Sequence, residues 1–191
     1  METKYPILYG AYGANTNFAH MAQRCPTARY VGNMIVEDMA LVFRGVADVV
    51  PRKGARVYCA LWRIMPSDER ALDAFEGYPN HYAKMYVDLL HKGKTKDVML
   101  YVMAGNRRDR HEPPKSYEST LRVGYEDCKM PTSQIDDAVL EACESAKREL
   151  RYKGKWYRED RNNDEQQQPH DDGGFSWGNS SSWLFDSSVQ S

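Results

Sequence analysis

The sequence predicts an α+β fold in which a closed or partly closed sheet is flanked by a few helices. Two observations lead to this prediction: strand-like segments outnumber helical ones, and the links between strands are short. A third observation limits the domain, because the apolar and β-branched segments stop near Trp156 and a polar stretch follows. We therefore assign residues 1–154 to one folded domain and residues 155–191 to a polar, disordered tail.

The first half of the domain predicts an opening strand, a short helix and three further strands. Residues 5–12 are rich in Tyr, Ile and Leu and favour a strand. Asn17 is a good N-cap for a helix over residues 18–24, which Pro26 stops. Gly, Asp and Pro signals then separate three strand candidates, at residues 30–36, 40–44 and 57–64.

The second half predicts a helix, a hairpin and two more helices. Pro66 and the acids after it start a helix with Ser67 as its N-cap, and Gly77 ends it after Glu76. Alternating residues predict two paired strands joined by a turn at residues 92–96. The two strand candidates of this half cover residues 82–90 and 97–104, and the two further helix candidates cover residues 116–123 and 133–150.

Bulk composition narrows the class of protein. The chain has 191 residues with Lys+Arg 26 and Asp+Glu 27, so its charge gives no reason to expect a nucleic-acid partner. The four cysteines form no CxxC pair, and the first ten residues lack the basic and apolar regions of a signal peptide. No apolar run approaches the roughly 20 residues that span a bilayer. We expect a cytoplasmic protein with no membrane partner.

The tail carries two aromatic clusters in an otherwise polar stretch. These are the FSW segment at Phe175 and the WLF segment at Trp183. Such a composition buries too little apolar surface to offset the entropy of ordering, which favours disorder. Alternatively, the aromatic clusters dock on a protein partner or fold back onto the domain.

Several common catalytic signatures are absent. The sequence has no GxxxxGK[ST] loop, no GxSxG elbow and no HExxH. The YGAYG segment near the start lacks the third glycine of a dinucleotide fingerprint. The five histidines show no ligand spacing, so we expect neither a metal nor a cofactor.

Four segments in a fixed order carry the functional signal. They are the loop Tyr12–Thr16; Arg24-Cys25-Pro26 with Gly32 after it; Leu72–Gly77 with Tyr82 after it; and Pro114 with Tyr117, Leu121 and Gly124. This pattern resembles the γ-glutamyl cyclotransferase-like, or AIG2-like, family. Its members have an opening YGSN loop, an R-x-P segment before a glycine, an LD-x-x-EG turn before a tyrosine, and a late Y-x-x-x-[IL]-x-x-G. The resemblance covers roughly residues 5–130.

The resemblance implies a small mixed β-barrel with flanking helices and a cavity between the opening loop and the EG turn. It also implies cleavage of a γ-glutamyl amide by the substrate's own α-amine, which releases 5-oxoproline and a free amine. The catalytic acid of the family corresponds to Glu76. The substrate-binding residues correspond to Tyr12, Gly13, Ala14, Asn15, Thr16, Tyr82 and Tyr117.

A glutamate suits this chemistry because the attacking α-amine is an ammonium at neutral pH. A carboxylate within hydrogen-bond reach can take its proton and return it to the departing amine. Partial burial would raise the pKa of Glu76 toward a useful range. Backbone amides from Gly13 to Asn15 suit the substrate carboxylate, since glycine allows close approach and a helix N-terminus follows.

Each of these residues also has a structural interpretation. Glu76 could be a solvated acid at a helix end, and Tyr82 and Tyr117 could be core aromatics whose hydroxyls have hydrogen-bond partners. Ala14, Thr16 and Lys84 stand where many family members have Ser, Leu and Arg. These departures favour a second hypothesis, a non-catalytic module that binds a small ligand or another protein.

Overall fold

The structure is a computed structural model, and it describes residues 6–91, 94–105 and 109–165. The strands of the described part are β1 (Ile7–Ala11), β2 (Arg29–Phe43), β3 (Ala47–Ile64), β4 (Tyr82–His91) and β5 (Lys94–Met103). Its helices are α1 (Phe18–Arg24), α2 (Pro66–Glu76), α3 (Lys115–Asp127) and α4 (Ser133–Glu165), and a 3-10 turn covers Ala14–Thr16. The α+β class predicted from the sequence is confirmed.

The strands form one mixed sheet in the order β2-β3-β1-β5-β4. The central strand β1 runs antiparallel to β3 and parallel to β5. Within the described residues no ladder joins β2 to β4, so the sheet is curled but not closed into the expected barrel. The predicted hairpin is present as β4 and β5, and its ladder extends beyond the predicted strands to the pair of His91 with Lys94.

Two predicted strands, 30–36 and 40–44, are one strand with a bulge. Asp38 adopts a φ of 57° in β2, and Gly54 adopts a φ of 77° in β3. The Gly54 N–H donates to Asp38 Oδ1 over 2.7 Å, which bridges the irregular part of the ladder. Turn-favouring residues in the sequence therefore mark a bulge here and not the end of a strand.

Helix starts and ends follow local chemistry at two of the three predicted sites. Asn17 caps α1 as predicted, and its Oδ1 accepts from the His20 N–H over 3.0 Å. Gly77 ends α2 as predicted, in the left-handed conformation with φ 63°. The predicted cap Ser67 is wrong: the N-cap is Met65, whose N–H donates to Asp68 Oδ2 over 3.0 Å.

Helix α3 packs directly against the loop that follows β1. A Cβ added to Gly124 would lie 2.2 Å from Thr16 Oγ1 and 2.5 Å from the Asn17 nitrogen. The Tyr125 hydroxyl donates to the Tyr12 carbonyl over 3.0 Å. Only a residue without a side chain allows this approach, which fixes the loop at one end of the sheet.

The last helix is longer than predicted. Ile135, Ala138 and Ala142 of α4 are buried as the amphipathic pattern predicts, but the helix continues past residue 150 to Glu165. The chain divides into two units, Met1–Tyr152 and Lys153–Ser191. The aromatic clusters of the tail lie outside the described residues, so their disorder or docking stays a prediction. Of the helices that the structure describes, none has the length and apolar character of a membrane span.

Candidate active site

A cavity of about 190 Å³ lies where the loop after β1 meets the end of α2. It brings together Glu76 and most of the residues that the sequence singled out. Its wall consists of Tyr9, Tyr12, Gly13, Ala14, Asn15, Val46, Ala47, Phe75, Glu76, Tyr82, Tyr101 and Tyr117.

Glu76 is the last residue of α2 and is held by the loop across the cavity. Asn15 Nδ2 donates to Glu76 Oε1 over 2.9 Å and also to the Tyr9 hydroxyl over 2.9 Å. Asn15 is 3% exposed, so these bonds form away from bulk water. The glutamate is therefore a fixed group of the cavity wall and not a solvated acid at a helix end.

Burial controls the acidity of Glu76. It raises the pKa of this carboxyl to about 7, although the positive charge of Arg24 and the hydrogen bond from Asn15 act in the opposite direction. A carboxyl group with this pKa exchanges its proton readily at neutral pH. It can serve both as an acceptor and as a donor of a proton.

Arg24 supports Asn15 and Glu76 through its contacts in the site. Its Nη1 donates to Asn15 Oδ1, and its guanidinium carbon lies 3.3 Å from the centroid of the Phe75 ring. The cation is thus stacked on a residue adjacent to Glu76 and bonded to the residue that holds Glu76. In the sequence, the only signal for this residue was the Arg24-Cys25-Pro26 segment.

Two motif tyrosines, Tyr82 and Tyr117, anchor the cavity wall at Ala47. The Ala47 N–H donates to the Tyr117 hydroxyl over 3.1 Å, and the Tyr82 hydroxyl donates to the Ala47 carbonyl over 3.1 Å. Burial raises the pKa of Tyr117 to about 12, so this phenol is neutral at physiological pH. A Cβ added to Gly13 would lie 3.2 Å from the Tyr117 hydroxyl, which keeps the loop close to this wall.

One predicted binding residue lies behind the cavity. Thr16 is fully buried, and its Oγ1 donates to the Gly13 carbonyl over 2.9 Å. Its backbone N–H donates to the same carbonyl over 2.9 Å. Thr16 therefore stabilises the turn of the loop, and the structure does not place it on the cavity wall. The resemblance marked the whole loop and could not separate lining residues from supporting ones.

Among the lining residues that sequence reasoning missed are Tyr9 and Tyr101. Both belong to strands, where alternation indicates only a core position. Tyr101 accepts at its carbonyl from the Tyr12 hydroxyl, and its own hydroxyl donates to Asp73 Oδ1 over 2.5 Å. Asp73 also pairs with Lys84 over 2.7 Å.

The arrangement can bind a small polar molecule and move protons. It offers a partly buried carboxyl group with a pKa near neutrality, backbone amides of a loop and neutral phenols. In the part of the chain that the structure describes, no group of three or more His, Cys, Asp or Glu side chains is placed to hold a metal ion.

Comparisons with known proteins point to one family. The family model described as "Gamma-glutamyl cyclotransferase, AIG2-like" matches residues 9–120. No curated protein sequence matches the chain significantly.

Three solved structures share the fold at low sequence identity. One described as a gamma-glutamyl cyclotransferase is 20% identical with a TM-score of 0.60, covering 69% of this chain and 85% of its own. An uncharacterized protein from Homo sapiens is 21% identical with a TM-score of 0.60 and the same coverages, 69% and 85%. YkqA from Bacillus subtilis is 22% identical with a TM-score of 0.60, covering 71% of this chain and 55% of its own.

Proposed function

The chain belongs to the AIG2-like gamma-glutamyl cyclotransferase family, and from this premise we propose that it is an enzyme acting on a small γ-glutamyl amine or γ-glutamyl amino acid. The α-amine of the glutamyl unit attacks its own γ-carbonyl carbon, and the amide bond to the leaving amine breaks. The products are 5-oxoproline and a free amine. The observation that carries this proposal is the Glu76 carboxyl, partly buried in the cavity wall, held by Asn15 and with a pKa of about 7.

Glu76 is the proton carrier in this proposal. Its carboxylate takes a proton from the α-ammonium, which frees the lone pair that forms the ring. After the attack the ring nitrogen still carries two hydrogens and loses one of them as the lactam forms. Glu76 carries these two protons, one at a time, from the α-nitrogen to the departing nitrogen, which leaves as an ammonium, so the enzyme returns to its starting state. A positioned base of this kind contributes about 10²–10⁴-fold to the rate, and the pKa of about 7 suits both transfers.

The loop binds the substrate in an orientation that favours ring closure. Backbone amides of Gly13, Ala14 and Asn15 hold the α-carboxylate, with Tyr12 in the wall beside them. Tyr82 and Tyr117 shape the cavity wall at Ala47 through their hydrogen bonds to that residue. Because nucleophile and electrophile belong to one molecule, holding both ends of the glutamyl unit supplies much of the remaining acceleration.

A second candidate function is a non-catalytic module that binds a small ligand in the same cavity. The specific observation in its favour is Ala14, which lines the cavity where many family members have serine. A missing hydroxyl weakens substrate positioning only if it, and not the backbone, makes the contact.

A panel of γ-glutamyl compounds tests the two candidates. The purified full chain is incubated with γ-glutamyl amino acids and γ-glutamyl amines, and 5-oxoproline is measured by chromatography. We expect 5-oxoproline and free amine in equal amounts with at least one compound. Binding of a panel member without formation of 5-oxoproline would favour the ligand-binding module.

A further inference from the structure

A second cavity, of about 480 Å³, adjoins the first on the far side of Glu76. The two cavities share Val46, Phe75, Glu76 and Tyr82 in their walls. Arg44 and His81 line only the second cavity. Glu76 is therefore on the border between a cavity formed by the opening loop and one that contains an arginine.

Arg44 is a buried cation with a fixed orientation. Its side chain is 10% exposed, and its Nε lies 2.9 Å from Asp48 Oδ2. The two groups form an ion pair, but the Nε–H does not point at the oxygen well enough to form a hydrogen bond. Asp48 is itself anchored, because its Oδ1 accepts from the Met103 N–H over 3.0 Å. The backbone of Arg44 is tied down as well, since its N–H donates to the Val46 carbonyl over 2.9 Å. The guanidinium is thus held by its neighbours before any ligand arrives.

The guanidinium of Arg44 has unused hydrogen-bonding capacity. Its buried Nη1 has no acceptor among the residues that the structure describes. Leaving a buried charged donor without an acceptor is unfavourable, and such groups are rare in folded proteins. A carboxylate entering the cavity would supply the missing acceptor, and the planar guanidinium matches a carboxylate in geometry.

We propose that the second cavity is the leaving-group subsite and that Arg44 recognises a carboxylate on the departing amine. This inference rests on the proposed function, which places the γ-carbonyl at Glu76 and the glutamyl unit in the first cavity. The substituent of the leaving amine then extends past Glu76 toward Arg44. The substrate class this selects is a γ-glutamyl amino acid with a free carboxylate, in preference to a γ-glutamyl amine without one. Arg44 determines specificity and takes no part in the proton transfers.

A matched substrate pair tests this inference. γ-Glutamylalanine and γ-glutamylethylamide differ only in the carboxylate of the leaving group. We expect wild-type kcat/KM to favour γ-glutamylalanine by about 10- to 100-fold, the effect of one charge-assisted hydrogen bond to a buried partner. In Arg44→Gln this ratio should fall toward one. Arg52→Gln is the matched control, because Arg52 pairs with Glu141 and lines neither cavity, so the ratio should stay as in wild type.

A second variant guards against misfolding. Arg44→Gln leaves Asp48 buried without its cation, whereas the double variant Arg44→Gln with Asp48→Asn is neutral and keeps an acceptor for the Met103 N–H. Circular dichroism identifies which variant is folded, and the ratio is measured on that one.

The outcomes separate this inference from the proposed function. A wild-type ratio near one, or a folded Arg44 variant that keeps the preference, overturns the inference and leaves cyclotransferase activity intact. Absence of 5-oxoproline from every compound of the panel contradicts the proposed function, and calorimetric binding of γ-glutamylalanine and γ-glutamylethylamide then tests the subsite. Tighter binding of γ-glutamylalanine that depends on Arg44 supports the subsite, and equal binding overturns it.

Discussion

The side-chain amide of Asn15 holds the carboxylate of Glu76, with Nδ2 lying 2.9 Å from Oε1 although the two residues are 61 positions apart. The second Nδ2 hydrogen goes to the Tyr9 hydroxyl, and Oδ1 accepts from Arg24. The amide thus has partners on both its donor and its acceptor sides, which fixes its orientation. Asn15 joins the opening loop to the end of α2 and sets the direction in which the proposed base points.

Asn15→Ala should reduce turnover by about 10- to 100-fold, since a misdirected base loses part of its catalytic contribution. The substitution also removes a bond that lowers the pKa of Glu76, so the carboxyl should become less acidic. Asn33→Ala is the matched control, because Asn33 donates to the Cys128 carbonyl and does not line the cavity. Steady-state kinetics on one substrate compare the two variants, and equal effects would contradict the positioning role.

Arg24→Gln should shift the acidic limb of kcat/KM to higher pH. The positive charge of Arg24 lowers the pKa of Glu76 relative to what burial alone would give. Without that charge the carboxyl keeps its proton to higher pH, and the base form appears later as pH rises. The shift is measured from kcat/KM between pH 5 and 9. In the wild type, the midpoint of the acidic limb should lie near the Glu76 pKa of about 7.

Arg29→Gln provides the control for charge removal, because Arg29 bonds only backbone carbonyls near Pro26 in the described structure. The acidic limb of kcat/KM for Arg29→Gln should lie at the same pH as that of the wild type. A limb for Arg24→Gln that stays in place, or moves to lower pH, would show that Arg24 does not tune this carboxyl.

Gly124→Ala should destabilise the domain, although alanine is normally the better helix former by about 1 kcal/mol. The new Cβ would lie 2.2 Å from Thr16 Oγ1 and 2.5 Å from the Asn17 nitrogen, so α3 or the loop must move. Overpacking of this kind typically costs about 1–3 kcal/mol. Urea unfolding measures the change, and Ser119→Ala on the exposed side of α3 should leave stability equal or slightly higher. A gain in stability for Gly124→Ala would contradict the close contact.

Local chemistry made some elements predictable from the sequence. The Asn17 cap and the Gly77 helix end depend on a few adjacent residues, so the sequence alone placed them correctly. The Ser67 prediction failed because the helix already begins at Pro66, a residue suited to the first turn, with Met65 as the N-cap. Asp68 accepts from the Met65 N–H and also from the Thr27 hydroxyl, which lies 41 residues away.

In the candidate site, too, the sequence indicated some residues and missed others. The motif order indicated Glu76 and the opening loop, because a family resemblance encodes which segments meet in space. Arg44 gave no such signal, and Arg24 was indicated only as part of the Arg24-Cys25-Pro26 segment, since their contacts depend on which strand or ring lies opposite them. Tyr9 and Tyr101 looked like ordinary strand residues for the same reason.

Turnover by Glu76→Gln, measured as 5-oxoproline released from a substrate that the wild type cleaves, tests the central claim most directly. Glutamine keeps the shape of the side chain and an acceptor for Asn15 but cannot take a proton from the α-ammonium. The control is Glu126→Gln, an exposed acid of α3, which should turn over at the wild-type rate. We expect kcat of Glu76→Gln to fall by about 10²–10⁴-fold while substrate binding persists. A Glu76→Gln enzyme as fast as the wild type would contradict the assignment of Glu76 as the base.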